Sequence, residues 1–293
     1  MPKSRFDAPG LAVMLAIQGL LAFSQIVVKL AASGFSPLFF AGARSALAVV
    51  FVLAWLIWRG KPFGNWRAEL GPGLLIGLSF SVEFIGVFIA LDRTSVGHAS
   101  LLFYSMPLWF AGLAHWLLPG NRMTTGKALG LILAFVGCGV AILSRDTPGS
   151  GVTLTGDLFA VLGALGWTAT AFIARGTSLV RVDPGVQLLW MLAVSAPVLL
   201  IAAPFMEPLL RDPQPIDWFW LLFQAVVVST GGYIVWLWLL AEYPAAVVAS
   251  FSFLTPVMAI LMGHFIFGEL LSPSLIAAAA LVSCGIVLIN RRA

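Results

Sequence analysis

A single carboxylate, Glu83, lies deep inside an apolar run of this sequence, where it could bind a solute. Ser79 and Gly86 fall on the same helical face as Glu83, at positions i, i+4 and i+7. A charge at the centre of a membrane helix costs roughly 3 kcal/mol, so we expect Glu83 to face the protein interior. It is predicted to bind a substrate amine or a proton, or else to make a structural bond to Lys29, Arg44 or a hydroxyl.

A second polar stripe lies earlier in the chain. Four residues share one helical face at positions i, i+4, i+7 and i+11: Gln18, Ala22, Gln25 and Lys29. Amides and an ammonium group are costly against lipid, so this face should line a cavity or bond to other helices. Lys29, near the end of its run, could instead extend to the membrane surface. For Arg44 a structural role is favoured.

Aromatic side chains inside the apolar runs are further candidates for substrate binding: Tyr104, Trp109, Trp167, Tyr233 and Trp236. Clustered around a pocket, they would bind an aromatic or cationic substrate by stacking or cation–π contact. The alternative is ordinary packing in the core or against lipid.

Proline and glycine interrupt two of the runs. Pro107 and Pro256 each remove a backbone donor, and Pro256 would free the carbonyl of Ser252. These prolines are predicted to be hinges or substrate-binding breaks, or else fixed kinks. The pair Gly231-Gly232 allows close helix approach or flexing.

Motifs for other chemistry are missing from the sequence. His98, His115 and His264 lie near the ends of runs, which fits interfacial histidines or a titrating gate, and they are too scattered to predict zinc. Glu242 and Glu269, also near ends, are expected to cap helices or form ion pairs. We find no Walker loop, metalloprotease motif or serine nucleophile motif. No metal, cofactor or enzymatic activity is therefore predicted, and transport would not use ATP hydrolysis by this chain.

The elements that position these residues follow from composition. Of 293 residues 60% are hydrophobic and 10% charged, and the mean hydropathy is +1.02. The apolar residues come in runs of about 18 to 24, a length that spans roughly 30 Å of hydrocarbon as a helix. The predicted fold is an all-α polytopic membrane protein with ten transmembrane helices, at 10–31, 37–58, 70–91, 96–118, 125–143, 155–175, 186–204, 217–240, 245–267 and 273–290.

The basic residues predict the orientation. With the N-terminus in the cytoplasm, 11 of the 16 Lys and Arg residues lie on the inner side and 3 on the outer side, and Lys29 and Arg44 lie within spans. By the positive-inside rule both termini are cytoplasmic, in a multi-pass protein of the inner (plasma) membrane. Because the net charge of +4 is dispersed along the loops, no nucleic-acid partner is predicted.

The two halves of the chain repeat each other. Pro107 aligns with Pro256, and each is followed eight residues later by a histidine; Ser79 aligns with Ser229. Each half, 1–146 and 147–293, contains five predicted helices. An odd number reverses the second half, which gives an inverted repeat with a midplane substrate site between the halves. The alternative is that duplication only enlarged the bundle.

These features resemble the drug/metabolite transporter superfamily, EamA type. The resemblance covers nearly the whole chain and rests on a few positions: Lys29, Pro37, Arg44, Pro107, Pro256, Gly268-Glu269-Leu270 and Gly285. The first repeat departs from the pattern, since Pro119-Gly120-Asn121 has no acidic residue. Within the superfamily the chain is most similar to aromatic amino acid exporters of YddG type. The resemblance implies ten helices, cytoplasmic termini and efflux of small organic solutes.

Sequence and resemblance together predict an exporter of small metabolites, amino acids including aromatic ones, that works by alternating access. The alternatives are a multidrug or organic cation exporter, a membrane-embedded enzyme and a channel. Proton coupling, and the choice between monomer and homodimer, are left open.

Overall fold

The computed structural model describes residues 8–61, 65–117, 124–143, 151–243 and 251–290. Helices dominate these residues, with one isolated bridge between Phe35 and Leu210. The α-helices, in chain order, are α1 (Ala8–Ala31), α2 (Pro37–Trp58), α3 (Trp66–Arg93), α4 (Val96–Phe103), α5 (Met106–Leu117), α6 (Thr125–Leu143), α7 (Leu154–Gly176), α8 (Pro184–Met206), α9 (Pro215–Phe223), α10 (Tyr233–Glu242), α11 (Leu254–Phe267) and α12 (Pro273–Asn290). A π-helix, Gln224–Gly232, joins α9 to α10, and 3-10 turns occupy Ser178–Arg181 and Phe251–Phe253.

Seven helical stretches in the described part of the chain are long and apolar enough to cross a membrane. They are α1, α2, α3, α6, α7, α8 and the continuous run Pro215–Leu239 through the π-helix. Several exposed side chains are large and apolar, such as Phe205 at 84% and Phe265 at 80% exposure. A hydrophobic exterior of this kind is suited to lipid and confirms a multi-pass membrane protein.

Two predicted spans are not continuous helices. The span predicted at 96–118 is divided into α4 and α5, because the helix ends at Phe103 and restarts at Met106, just before Pro107. The described part of the span predicted at 245–267 begins with a 3-10 turn, and α11 starts only at Leu254. Residues 245–250 of that span lie outside the described residues. The helix predicted at 186–204 extends two residues further at each end, since α8 runs from Pro184 to Met206.

Small residues set the closest helix contacts. A Cβ atom built on Gly86 of α3 would lie 2.2 Å from the backbone nitrogen of Gly163 in α7. One built on Gly285 of α12 would lie 2.5 Å from Ala134 Cβ of α6. Only glycine allows these backbones to approach so closely, as is common between membrane helices. Gly86 therefore packs against α7 and does not line a cavity, contrary to the predicted stripe.

We call the end of the bundle where α1 ends, near Lys29, the Lys29 end, and the opposite end, where α2 ends, the Trp58 end. At the Lys29 end, Arg211 donates to both Asp92 oxygens at 2.6 and 3.1 Å and also binds Glu207. Arg93 donates to Glu207 at 3.0 Å. At the Trp58 end, Lys61 pairs with Asp183 at 3.0 Å. Both ends thus carry charge pairs between parts of the chain that are distant in sequence.

Candidate functional site

The polar face of α1 points into the bundle. Gln18 is buried and its side-chain oxygen accepts a hydrogen bond from the hydroxyl of Thr255 at the start of α11. Gln25, also buried, donates to Ser100 Oγ in α4 at 3.2 Å. The inward orientation agrees with the sequence prediction, and these amides bond to helices of both halves of the chain.

An aromatic cluster surrounds the break between α4 and α5. Phe103 and Trp167 stack with ring centroids 5.0 Å apart, and Tyr104 meets Trp167 edge-to-face at 5.5 Å. The side chain of Tyr104 interacts with that of Thr255, the residue bound to Gln18. The break therefore places an aromatic wall beside the polar pair from α1 and α11. Thr255 was missed in the sequence, where its only signal is a hydroxyl beside Pro256.

Glu83 and Arg44 form the charged part of this interior. Glu83 is 7% exposed, and its oxygen Oε2 has no hydrogen-bond partner among the described residues. Electrostatic interactions reach it from both Arg44 and Tyr104. The Arg44 guanidinium lies over the Phe84 ring, 4.7 Å from its centroid, and its Nε is also unpartnered. We name Gln18, Thr255, Tyr104, Trp167, Glu83 and Arg44 the interior cluster.

Further buried polar atoms have no hydrogen-bond partner within the described ranges. They are Gln25 Oε1 on α1, and Gln224 Oε1 and Ser229 Oγ on the π-helix. Gln25, Arg44, Glu83 and Gln224 lie six to ten residues from the nearest helix end on the Lys29 side, which is roughly 9 to 15 Å. Buried polar groups are normally hydrogen-bonded, so these atoms need water or a ligand.

Other predicted site residues lie elsewhere. Trp109 donates to Ser105 Oγ at 3.0 Å and packs edge-to-face on Phe135 of α6. Tyr233 donates its hydroxyl to Pro184 O at 2.8 Å near the Trp58 end. The sequence grouped them with the cluster because their depth is similar, but their helical faces point to other neighbours.

Three further predicted positions also lie away from the cluster's contacts. Trp236 packs with the apolar group around Met14 and Leu239. Ser252 is half-buried in the 3-10 turn before α11. Ser79 is half-buried one turn before Glu83 on α3.

The predicted hinge residues mark real changes of backbone geometry. Pro107 and Pro256 are the second and third residues of α5 and α11, where a helix leaves the backbone N–H unbonded anyway. They therefore start helices and do not kink one. Gly231 and Gly232 end the π-helix, and Cβ atoms built there would meet their nearest atoms at 3.5 and 3.6 Å. That distance is ordinary contact, so close helix approach does not explain this pair.

Two polar networks lie at the Lys29 end, one around Asp157 and one around Glu269. Asp157 is fully buried, accepting from Thr94 Oγ1 at 3.0 Å, and its Oδ2 lies 3.4 Å from Nδ1 of His98. His98 lies near the start of α4, as predicted, but it is buried, so the expected access to water is wrong. Glu269 confirms the expectation of capping and pairing, since it accepts from Lys29 Nζ at 3.2 Å and from Val96 N at 2.7 Å.

Lys29 accordingly does not extend to the membrane surface. Its ammonium group donates to the carbonyl of Thr94 at 2.7 Å as well as to Glu269. For metal binding, the described ranges contain no group of three or more His, Cys, Asp and Glu side chains placed to hold an ion.

An apolar helical bundle with polar and aromatic groups converging in its interior defines a multi-pass membrane protein. The chain belongs to the EamA-like transporter family, whose sequence profile matches residues 9–143 and 154–291. It is thus a membrane transporter and not an enzyme, and each half of the chain carries one copy of the family unit.

Individual relatives agree with the family. The uncharacterized transporter YvbV of Bacillus subtilis (strain 168) is 30% identical over 270 residues, which cover 87% of this chain and 83% of that one. A "Probable amino-acid metabolite efflux pump" of Salmonella typhimurium is 25% identical over 270 residues, covering 89% and 88%. A solved crystal structure matches with a TM-score of 0.64 and 18% identity over 96% of this chain and 95% of that chain, which shows a shared fold.

Proposed function

We propose that this protein is a secondary transporter that exports small metabolites, amino acids including aromatic ones, across the inner membrane by alternating access. The observation that carries the proposal is the interior cluster, where Gln18 and Tyr104 of the first half meet Thr255 and Trp167 of the second. Glu83 interacts with Tyr104 in the same cluster. A site at such a junction is exposed to opposite sides when the halves rock against each other.

The proposed architecture is ten transmembrane helices in two inverted five-helix repeats, with N- and C-termini in the cytoplasm. Ten spans result when α4 with α5, and α9 with the π-helix and α10, are each counted as one crossing. Both α5 and α11 have a proline in their first turn. This shared feature supports the view that the divided span α4–α5 and the short α11 occupy equivalent positions in the two repeats. Broken helices near the midplane are common in transporters built from inverted repeats.

Two interfaces that the repeat makes equivalent are packed unequally, which supports alternating access. In the first, α3 meets α7 with Gly86 against the Gly163 backbone at a built Cβ distance of 2.2 Å. In its counterpart, α10 and the π-helix meet α1, where a Cβ on Gly232 would lie 3.6 Å from Ile17 and Leu20. If the halves exchange roles, tight packing would pass from one interface to the other.

The substrate class follows from the groups that converge. Trp167, Phe103 and Tyr104 offer ring faces and edges to an aromatic side chain. The unpartnered Glu83 carboxylate offers a site for a substrate amine or for a coupling proton. The printed name of the Salmonella relative, "Probable amino-acid metabolite efflux pump", supports amino acids as the substrate class. The likeness to aromatic amino acid exporters of YddG type rests on the sequence resemblance and is part of this proposal. A multidrug or organic cation exporter would use the same carboxylate and rings.

Transport by purified protein in proteoliposomes tests the function. Labelled phenylalanine, threonine and a cationic drug are compared, with and without a pH gradient. We expect phenylalanine flux to saturate with concentration; flux that stays linear would indicate a channel. Saturable flux of the drug alone would favour the multidrug exporter. Glu83→Gln should fold normally and lose flux, whereas unchanged flux at every pH would leave Glu83 structural.

A further inference from the structure

We propose that Arg44 binds the carboxylate of the substrate, and that Arg44 and Glu83 together select zwitterions, that is, α-amino acids with both charges present. The proposal rests on the proposed function and names the groups that would recognise its substrate. It also reverses the structural role that the sequence favours for Arg44.

Arg44 and Glu83 are close enough to attract each other but are not bonded to each other. The electrostatic interaction is mutual, yet no Arg44 nitrogen lies within 4.0 Å of a Glu83 carboxylate oxygen. Arg44 is half-buried, so part of its side chain is not covered by protein. A guanidinium and a carboxyl group that lie near each other without bonding can each bind a ligand group of the complementary charge.

An arginine with a purely structural role would be expected to have its buried donors hydrogen-bonded to other protein groups. Buried ionic groups are costly unless paired and fully hydrogen-bonded. Here Arg44 Nε and Glu83 Oε2 both lack partners among the described residues. Phe84 and Phe88 lie under the guanidinium, with centroids 4.7 and 5.7 Å away, and they support its face without using its edge donors. The guanidinium is therefore held in place while its donors stay free.

An α-amino acid supplies the missing partners. Its carboxylate can accept two parallel hydrogen bonds from a guanidinium, and its ammonium can donate to a carboxylate. Since each such bond is roughly 2.8 Å long, a bridging ligand can connect side chains that are too far apart to touch. Glu83 also interacts with Tyr104, whose ring meets Trp167. A zwitterion held by Arg44 and Glu83 would thus lie beside the aromatic cluster.

Three ligands that differ by one charged group test the proposal. They are phenylalanine, 2-phenylethylamine, which lacks the carboxylate, and 3-phenylpropionate, which lacks the amine. Binding to the purified protein is measured by calorimetry, and each ligand is also used to compete for phenylalanine transport. The wild type should bind phenylalanine at least about tenfold more tightly than either analogue, because each analogue leaves one buried charge unpaired.

Variants then assign each charge to a residue. Arg44→Gln should weaken phenylalanine binding about 10- to 100-fold and change 2-phenylethylamine binding less than about threefold. Glu83→Gln should weaken both amines and spare 3-phenylpropionate. Arg59→Gln is the matched control, because Arg59 also lies over an aromatic ring, Trp55 at 5.6 Å, but is exposed at the end of α2. It should leave all three affinities unchanged.

Several results would overturn the proposal. If Arg44→Gln weakens phenylalanine and 2-phenylethylamine equally, Arg44 acts through the fold and not on the carboxylate. If Arg44→Gln does not fold, Arg44→Lys, which keeps the charge but loses the bidentate geometry, should still weaken phenylalanine selectively. If neither variant folds, the wild-type comparison decides, and equal affinity for phenylalanine and 2-phenylethylamine refutes the zwitterion site. Failure of the wild type to bind or transport all three ligands would instead refute the proposed function.

Discussion

Loss of the Glu269 carboxylate should open the Lys29 end of the bundle. This carboxylate accepts hydrogen bonds from Lys29 Nζ at 3.2 Å, Val96 N at 2.7 Å and Gly97 N at 3.1 Å. The two backbone donors belong to the first turn of α4, whose dipole favours an anion. A residue from the last part of the chain therefore ties together α1 and α4 of the first half.

The magnitude follows from the exposure of the pair. Breaking a fully buried ion pair costs about 3 to 5 kcal/mol, and an exposed pair contributes at most about 1 kcal/mol. The side chains of Lys29 and Glu269 are 25% and 11% exposed, which lies between these limits. For Glu269→Gln we expect the closed arrangement to lose about 2 kcal/mol, or roughly a 30-fold change in the open fraction.

Cysteine accessibility measures this opening. Cys138 and Cys284, the two cysteines of the chain, are replaced by alanine, and Val96, which is fully buried, becomes the single cysteine. Labelling by a water-soluble maleimide should then be up to about 30-fold faster in the Glu269→Gln variant. If labelling is unchanged and the unfolding temperature is lower, Glu269 only stabilises the fold and does not hold the Lys29 end closed.

A substitution at Gly263 tests the contacts of the Glu269 carboxylate in a second way. A Cβ atom on Gly263 would lie 2.6 Å from Glu269 Oε2, so Gly263→Ala should displace the carboxylate and also speed labelling. Exchange of the two charges, Lys29→Glu with Glu269→Lys, should not restore slow labelling, because the lysine cannot accept from the backbone N–H groups of α4. Gly112→Ala is the control, since a Cβ there meets nothing within 4 Å.

Three further outcomes are expected. The hydrogen bond from Arg211 is the main reason why the pKa of Glu207 is lowered in the folded protein. The contribution of Glu207 to stability is therefore complete above the unfolded pKa, near 4.3, and is lost as the pH falls through the lower folded pKa. Thermal unfolding measured from pH 7 to 3 should show this loss of stability in the wild type, and the Glu207→Gln variant should not show it. Gly86→Ala should destabilise the fold by more than about 1 kcal/mol in denaturant unfolding, because its Cβ would strike the α7 backbone, whereas Gly139→Ala, in open space, should not. Gly232→Ala has room for its Cβ and should fold normally; slower transport would mark the π-helix as a moving element, and unchanged transport would exclude it as a hinge.

Part of the site could be predicted from the sequence, and the reason is the cost of polar groups in lipid. That cost requires Gln18, Gln25 and Glu83 to face the interior, and the structure buries all three. Helical spacing alone cannot say which neighbour each side chain meets. Trp109 and Tyr233 have a suitable depth and residue type, but their partners are Phe135 and Pro184, away from the cluster.

Other features were hidden because they depend on distant segments. Thr255 meets Gln18 across 237 positions, and Glu269 meets Lys29 across 240 positions. His98 has the sequence context of an interfacial residue, but α7 brings Asp157 against it and removes it from water. The spacing of polar and apolar residues within one helix does not predict contacts with such distant segments.

The sequence by itself determined the class of this protein, because an apolar chain with few charges can satisfy its backbone in lipid only as helices. It also determined the bounds of most helices within a few residues, apart from the spans predicted at 96–118 and 245–267, and the inward direction of Gln18, Gln25 and Glu83. Only the tertiary structure decided that Pro107 and Pro256 begin helices and that Gly86 closes the α3–α7 interface. It also decided that Arg44 and Glu83 each keep a buried polar atom with no partner in the described part of the chain. These outcomes depend on which helices pack together, and packing is set by side-chain shapes on several helices at once.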